Sequence, residues 1–307
     1  MESFVLVSGA TGRQGGATAR ALLARGLPVH ALVRDPAAPR AKELETLGAT
    51  LVRGDLDDPD SIAAAVSGAR AVFSVQTPDL SDLLGDAELR HGRTLLTAAR
   101  AAGVQQVVHT SVSGTGSADL AELDTGRWGA HMPHYWRSKA AVEELVRTGF
   151  PAWTILRPAT FMENFTPGSF YYDPADPNRL LLAVDPDRPQ PFVAVADIAA
   201  AAVEAFFDPD RFAGVELELT GDLLTFRAAA TLLSEARGVT IALPDSPEDA
   251  VTRGLPAEFA RSQRYMTTHT APARPEFAHA LGLRTTSFTD WARGSVRRPR
   301  GDGGGPR

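Results

Sequence analysis

Along the first half of the chain, short runs of consecutive apolar and β-branched positions alternate with longer stretches in which apolar residues recur every three or four places. A continuous apolar run marks a strand buried on both faces, and the three-to-four spacing marks a helix with one face against a core. The runs "SFVLVSG", "PVHALVR", "ATLVRGD", "ARAVFSVQ", "VQQVVHTSVS" and "AWTILRP" read as successive strands. Helical patterns near residues 14–25, 38–47 and 85–102 separate them, with another started by Asp58 as cap and Pro59 at the first helical position. A further helix holds "HYWRSKAAVEEL", from His134 to Leu145. Strict alternation of this kind predicts an α/β fold built on a doubly wound parallel sheet over residues 1–156.

After Pro158 the rhythm breaks, and residues 157–295 read as a smaller, mostly helical lobe. Within it, "PFVAVADIAAAAVEAFF" predicts a short strand capped by Asp197 into a helix, and "GVELELTG" a last strand, so segments near 189–220 are expected to return to the sheet. Short helices are expected to start at Thr225, at Ser246-Pro247 and at Ser287. The proline- and aromatic-rich stretch 166–180 reads as an ordered loop closing over a pocket, or as a surface turn cluster. The tail 296–307 has too little apolar content to pack and is expected to be disordered.

Composition narrows the function classes. A formal charge of -6 over 307 residues and a pI near 5.7 argue against a nucleic-acid or anionic-membrane surface, and favour a small-molecule or protein partner. With no cysteine, a disulfide framework, a thiolate nucleophile and a cysteine-ligated metal are all excluded. His131 and His134 have ligand-like spacing but no third ligand nearby in sequence, so no metal is expected. The N-terminal apolar run is too short for a signal or spanning helix, and a cytoplasmic location is the expectation. Only Lys42 and Lys139 are lysines, which draws attention to each.

Directly after the first strand, "GATGRQGG" places Gly9, Gly12 and Gly15 at G-x-x-G-x-x-G spacing. Between a strand and a helix, such a loop provides a tight turn and lets backbone N–H groups approach a pyrophosphate at the positive end of a helix dipole. Thr11, Arg13 and Gln14 belong to the same loop. The second strand ends in Arg34 followed by Asp35. An arginine there suits a 2'-phosphate and adenine stacking, with Arg13 as a second contact, so NADP(H) is favoured, while Asp35 keeps NAD(H) open. Asp55 and Leu56 in "GDLDD" are candidates for the adenine amino group and ring, although helix capping is an equally good role for these acids. Gln76 and Thr77 follow the fourth strand and Pro158 ends the sixth, all at the sheet edge where a cofactor passes.

Tyr135 and Lys139 share a helix face at i, i+4 spacing, with or without chemistry. "GATGRQG", "VRDP", "GDLDD", "LRPATFMENF" and "VADIAAAA" together resemble the atypical short-chain dehydrogenase/reductase superfamily, and more closely its NmrA-like branch, over about residues 4–291. The resemblance implies a Rossmann core binding NAD(P) and a C-terminal substrate lobe. That branch holds NAD(P)H-dependent reductases of quinones and other carbonyl compounds, and also regulators that bind dinucleotide without turning it over. In active members of the superfamily, a Tyr-x-x-x-Lys pair works with a serine after the fifth strand; the lysine holds the nicotinamide ribose and lowers the tyrosine pKa. By that resemblance Tyr135, Lys139 and Ser111 are the catalytic candidates, with Ser113 as the alternative serine. Many NmrA-like proteins keep the lysine but not the tyrosine.

Substrate-contact candidates are His134, Trp136, Phe161 and Asn164, with Met162, Phe165, Phe170, Tyr171 and Tyr172 as further apolar lining. The sequence thus leads to an NADP(H)-dependent oxidoreductase acting on a carbonyl or quinone-like molecule. Its rivals are a redox-sensing regulator with a protein partner and, more weakly, an isomerase or lyase. Substrate identity and oligomeric state are not encoded in any motif found.

Overall fold

The computed structural model describes residues 3–79, 81–116 and 123–297. In chain order the elements begin β1 (Phe4–Val7), α1 (Arg13–Ala24), β2 (Val29–Val33), α2 (Pro39–Thr46), β3 (Thr50–Arg53), α3 (Pro59–Val66), β4 (Ala69–Val75), α4 (Ala87–Ala101) and β5 (Gln106–Thr110). A single turn, α5 (Thr125–Trp128), precedes α6 (His131–Gly149), β6 (Ala152–Pro158) and β7 (Thr160–Phe161). After a 3-10 turn at Met162–Phe165 come β8 (Tyr172–Asp173), β9 (Asp176–Leu180), β10 (Gln190–Val193), α7 (Val195–Phe207), α8 (Pro209–Phe212), β11 (Val215–Leu219) and β12 (Asp222–Leu224). The rest is helical: α9 (Phe226–Arg237), α10 (Pro247–Thr252), α11 (Ala257–Thr268), α12 (Pro275–Ala280) and α13 (Phe288–Arg297).

Seven strands form one sheet in the order β11-β6-β5-β4-β1-β2-β3. The pairs from β3 through β6 are parallel, because each strand is followed by a helix that carries the chain back across a face. This is the doubly wound parallel sheet expected from the alternating pattern, and the order reverses between β1 and β4. All four residues of β1 are buried. Leu6, Ile62, Val72, Leu95, Val107, Val146 and Ile155 share one apolar cluster, which is why these strands read as unbroken hydrophobic runs. The helix starts follow their caps: Asp58 accepts from the N–H of Asp60 and Ser61, Thr225 from Ala228, Ser246 from Asp249 and Ser287 from Asp290.

The chain divides into two compact units, each discontinuous: 1–116 with 135–157 and 195–217, and 117–134 with 158–194 and 218–307. In the first, α7 packs on α1; Arg25 pairs with Glu204 at 2.9 Å and lies over the Phe207 ring, 4.4 Å from its centroid. In the second, β12, β10 and β7 make a small sheet. Phe165, Phe192, Phe226 and Phe288 pack around one another beside it with centroids 5.2 to 6.0 Å apart.

Three local expectations changed. The stretch 166–180 contains the antiparallel pair β8–β9; Tyr171, Tyr172 and Leu180 are buried in the second unit's core, while Phe170 is exposed. Asp197 lies within the first turn of α7 and is 7% exposed, rather than preceding the helix as a cap. Helices α11 and α12 follow Pro256 and Arg274 with no side-chain cap to announce them. The tail expected to be disordered lies, from residue 298, outside the described residues. Among the described residues no helix is long and apolar enough to cross a membrane, and no group of three His, Cys, Asp or Glu could hold a metal ion.

A buried ionic network ties α6, β6 and β11 together. Glu143, 1% exposed, accepts from Arg157 Nε at 3.0 Å and Nη2 at 2.7 Å and from Arg147 at 2.6 Å. Glu216 accepts from the same two arginines at 2.5 and 2.7 Å. Removing one partner strands buried charge, which costs about 3–5 kcal/mol, whereas losing a helix cap costs about 1 kcal/mol. Urea denaturation should therefore show Glu143→Ala far less stable than Thr225→Ala; equal losses would show the arginines to be satisfied without Glu143.

Candidate dinucleotide and proton-transfer site

The site candidates in the first unit lie along the carboxyl edge of the sheet, beside the β1/β4 reversal. Gly9 takes a left-handed conformation (φ +58°), and a Cβ there would stand 2.8 Å from Val75 Cγ1. Its carbonyl accepts from Gly12 N–H at 2.8 Å. Gly15 is the tightest position: a Cβ would lie 2.3 Å from the Gly9 carbonyl oxygen and 2.5 Å from that of Ser8. Ser8 Oγ joins the loop to β4, accepting from Val75 N–H at 2.9 Å and donating to the Val75 carbonyl at 3.2 Å. Thr110, at the end of β5, donates to Gln14 Oε1 at 2.5 Å, so this Gln14 oxygen is already engaged.

Helix α1 opens at Gly12 with no side-chain cap and no acid in its first turn. Thr11 and Gln14 are half-buried, and Gly12 and Arg13 are exposed. An uncapped N-terminus beside glycines presents N–H groups and the positive end of a dipole to an anion. These residues fit a dinucleotide pyrophosphate.

After β2, Arg34 and Asp35 are exposed, but Asp35 accepts from Ala37 N–H at 2.8 Å within its own turn. Arg40, which sequence reasoning passed over, reaches the glycine loop and donates to the Thr11 carbonyl at 3.3 Å. Asp55 accepts from Asp57 N–H at 3.1 Å, and Leu56 packs partly against the core. His91, also missed, contacts Asp57 at 2.9 Å.

Gln76 is buried, its amide donating to Ser74 Oγ at 3.1 Å, and Thr77 is exposed. Ser111 and Ser113 are both buried; Ser111 Oγ lies 3.4 Å from Thr115 Oγ1. Tyr135 is half-buried, with Trp136 edge-on to it at 6.0 Å. Lys139 is only 6% exposed. Its ammonium stands over the Tyr135 ring, 5.5 Å from the centroid, donates to the Gln76 carbonyl at 3.3 Å, and forms a buried ion pair with Glu88 of α4. Burial pulls the Lys139 pKa down, but Tyr135, Glu88 and Glu143 hold it above the ordinary value. Burial likewise pushes the Tyr135 phenol up; Lys139 pulls it back and Glu88 pushes it up again, leaving it raised.

Glu88 was missed although its signal was present. The buried face of α4 runs Glu88, Gly92, Leu95, Leu96, Ala99, so an acid occupies an apolar-stripe position, which a buried carboxylate does only when paired. Gly92 lets α4 approach closely: a Cβ there would meet Val142 Cγ2 of α6 at 2.8 Å.

The substrate candidates are differently placed. Trp136 is buried, and its indole N–H has no partner among the described residues. His134 is half-buried, while His131 contacts Ser262 at 3.2 Å. In the second unit Phe161 and Asn164 are half-buried and Phe170 is exposed, whereas Met162 and Phe165 are fully buried. Asn164 hydrogen-bonds the Tyr171 phenol, whose pKa burial raises to about 12. Pro158 is buried at the end of β6.

This sheet order, with a glycine turn at the strand reversal, defines the fold of NAD(P)-binding oxidoreductases. The sequence pattern of the NmrA-like family matches residues 1–283, and the chain belongs to that family. It is 30% identical over 271 residues to an NAD(P)H azoreductase of Xenophilus azovorans, covering 84% of each chain. It is also 30% identical over 254 residues to an NmrA-like family domain-containing oxidoreductase of Malbranchea aurantiaca, covering 76% of this chain and 73% of that one. Among solved structures, the triphenylmethane reductase of Citrobacter sp. complexed with NADP(H) shares the fold with a TM-score of 0.75 at 20% identity, over 95% of this chain and 99% of that one. NmrA, a negative transcriptional regulator in complex with NADP, shares it with a TM-score of 0.69 at 24% identity, over 96% and 91%.

One buried titratable group at this edge is uncharged at neutral pH. His109 of β5 places Nδ1 3.1 Å from the Ser74 carbonyl, so Nδ1 carries the proton and donates. Burial, then the positive charges of Lys139 and Arg147, hold its pKa down to about 3, against 6.5 when unfolded. A folded pKa below the unfolded one gives stability that is complete above pH 6.5 and lost as the pH falls from there toward 3. Urea midpoints measured from pH 7 to 5 should fall, and His109→Asn should flatten the decline whatever its absolute cost; an unaltered slope would assign the acid sensitivity to other groups.

Proposed function

We propose that the protein is an NADP(H)-dependent oxidoreductase that passes a hydride between nicotinamide and a carbonyl or quinone-like small molecule. The observation that carries this reading is the placement of Tyr135 and Lys139 in the same unit as the uncapped glycine loop, with the ammonium over the phenol ring and bonded to the carbonyl that ends β4. The azoreductase relative supports it, as an enzyme named for reducing an unsaturated acceptor with NAD(P)H. When bound, the dinucleotide supplies the hydride. Tyr135 supplies the proton for the substrate oxygen, Lys139 directs its remaining N–H toward the nicotinamide ribose, and Ser111 orients the acceptor. Arg34, with Arg40 and Arg13, takes the 2'-phosphate, since Asp35 is occupied by its own turn.

A second reading has an observation of its own. Lys139 already spends two hydrogen bonds inside the protein, as suits a dinucleotide-sensing regulator that signals through a protein partner. The two readings part at Tyr135. In the reductase, Tyr135→Phe keeps NADPH binding and loses turnover by about 10²-fold or more, read with quinone, azo and carbonyl panels. If the wild-type protein binds NADPH and oxidises none of it across those panels, the reductase fails. The regulator then predicts a partner captured differently with NADP and NADPH. For cofactor choice, calorimetry should show Arg34→Ala weakening NADPH by about 1–3 kcal/mol with little change for NADH; equal losses would restrict Arg34 to adenine stacking.

A further inference from the structure

We infer that Glu88 is a positioning residue that raises the pH at which Tyr135 ionises, so that the phenol remains available as the proton donor of reduction into alkaline solution. The inference rests on the reductase reading and adds a pH range to it.

An ammonium has three N–H groups. Two of those on Lys139 go to Glu88 and to the Gln76 carbonyl. The carboxylate is 4% exposed and the lysine 6%, so water screens the pair little. A lone ammonium over the Tyr135 ring would stabilise phenolate. Matched by Glu88, it is half of a neutral pair and stabilises phenolate less. His109 of β5 is neutral. Glu143, one turn along α6, is matched by Arg157 and Arg147. From α4, Glu88 is the group that bears on both Tyr135 and Lys139.

The step then has an alkaline limit that Glu88 moves. As hydride reaches the substrate carbon, the Tyr135 O–H bond breaks and the substrate O–H bond forms; solvent returns a proton to the phenolate. Reduction needs the phenol at the start, and Glu88 keeps it a phenol to higher pH.

The test reads Tyr135 ionisation directly, from the ultraviolet phenolate band, in the wild type, Glu88→Gln and Glu88→Asp. Each is measured with and without Tyr135→Phe, so that one of the four tyrosines is isolated by difference. Glu88→Gln should ionise at lower pH than the wild type, and Glu88→Asp, which keeps the charge, should return toward it. In the active enzyme the alkaline loss of carbonyl reduction should move to lower pH in Glu88→Gln. Because breaking a buried pair can unfold a protein, the comparison of Lys139→Gln with Glu88→Gln/Lys139→Gln serves where the single variant does not fold. The midpoint should again drop when the carboxylate goes. An unchanged or higher midpoint overturns the role of Glu88, even in an enzyme that turns over. A lower midpoint in a protein that oxidises no NADPH leaves the electrostatic coupling standing and overturns the reductase reading instead.

Discussion

An ammonium cannot be held in a protein interior unless a carboxylate answers it, and the arrangement around Lys139 follows from that requirement. The only other lysine, Lys42, pairs with Glu45 at the surface, where the pairing is worth little. Lys139 instead draws in Glu88 from α4 and the carbonyl that ends β4. Meeting Glu88 requires α4 and α6 to approach closely, which Gly92 opposite Val142 allows. One turn further along α6, Glu143 repeats the pattern with the opposite sign, a buried acid answered by Arg157 and Arg147. Helix α6 is therefore fixed at two successive turns by charge, and the phenol it carries sits one turn before them.

The same edge of the sheet is built in two contrasting ways. The glycine loop is marked by what is missing: no side chains at Gly12 and Gly15, no side-chain cap and no acid at the start of α1. Helix α6 is marked by charged groups crowded in. Ser8 and Gln14 join the two regions, bonding the loop to the ends of β4 and β5.

The sequence made the sheet legible because its strands are buried on both faces and are separated by helices of clear periodicity, one of them announced by the Asp58 cap. Glycine spacing and the pair Tyr135 and Lys139 could be read for the same reason: each is local. Partnerships across the fold could not. Nothing near Lys139 in sequence points to Glu88, and nothing near Thr11 points to Arg40. Composition misled where aromatic residues stood near prolines, since Tyr171 and Tyr172 belong to a core assembled from distant segments. Helices α11 and α12, which start without side-chain caps, offered no punctuation to read.

The interleaving of the two units has a consequence during synthesis. Strand β11 and helix α7 complete the first unit with residues 195–217, yet its opening segment ends at 116. Until α7 leaves the ribosome, the face of α1 bearing Ala19 and Leu22 lacks the helix that packs on it, and the second unit waits for α9 and α13. Neither unit can mature as a finished leader for the other. Contacts so distant in sequence are costly to close and slow to form, so neither unit closes until its last segment has been made.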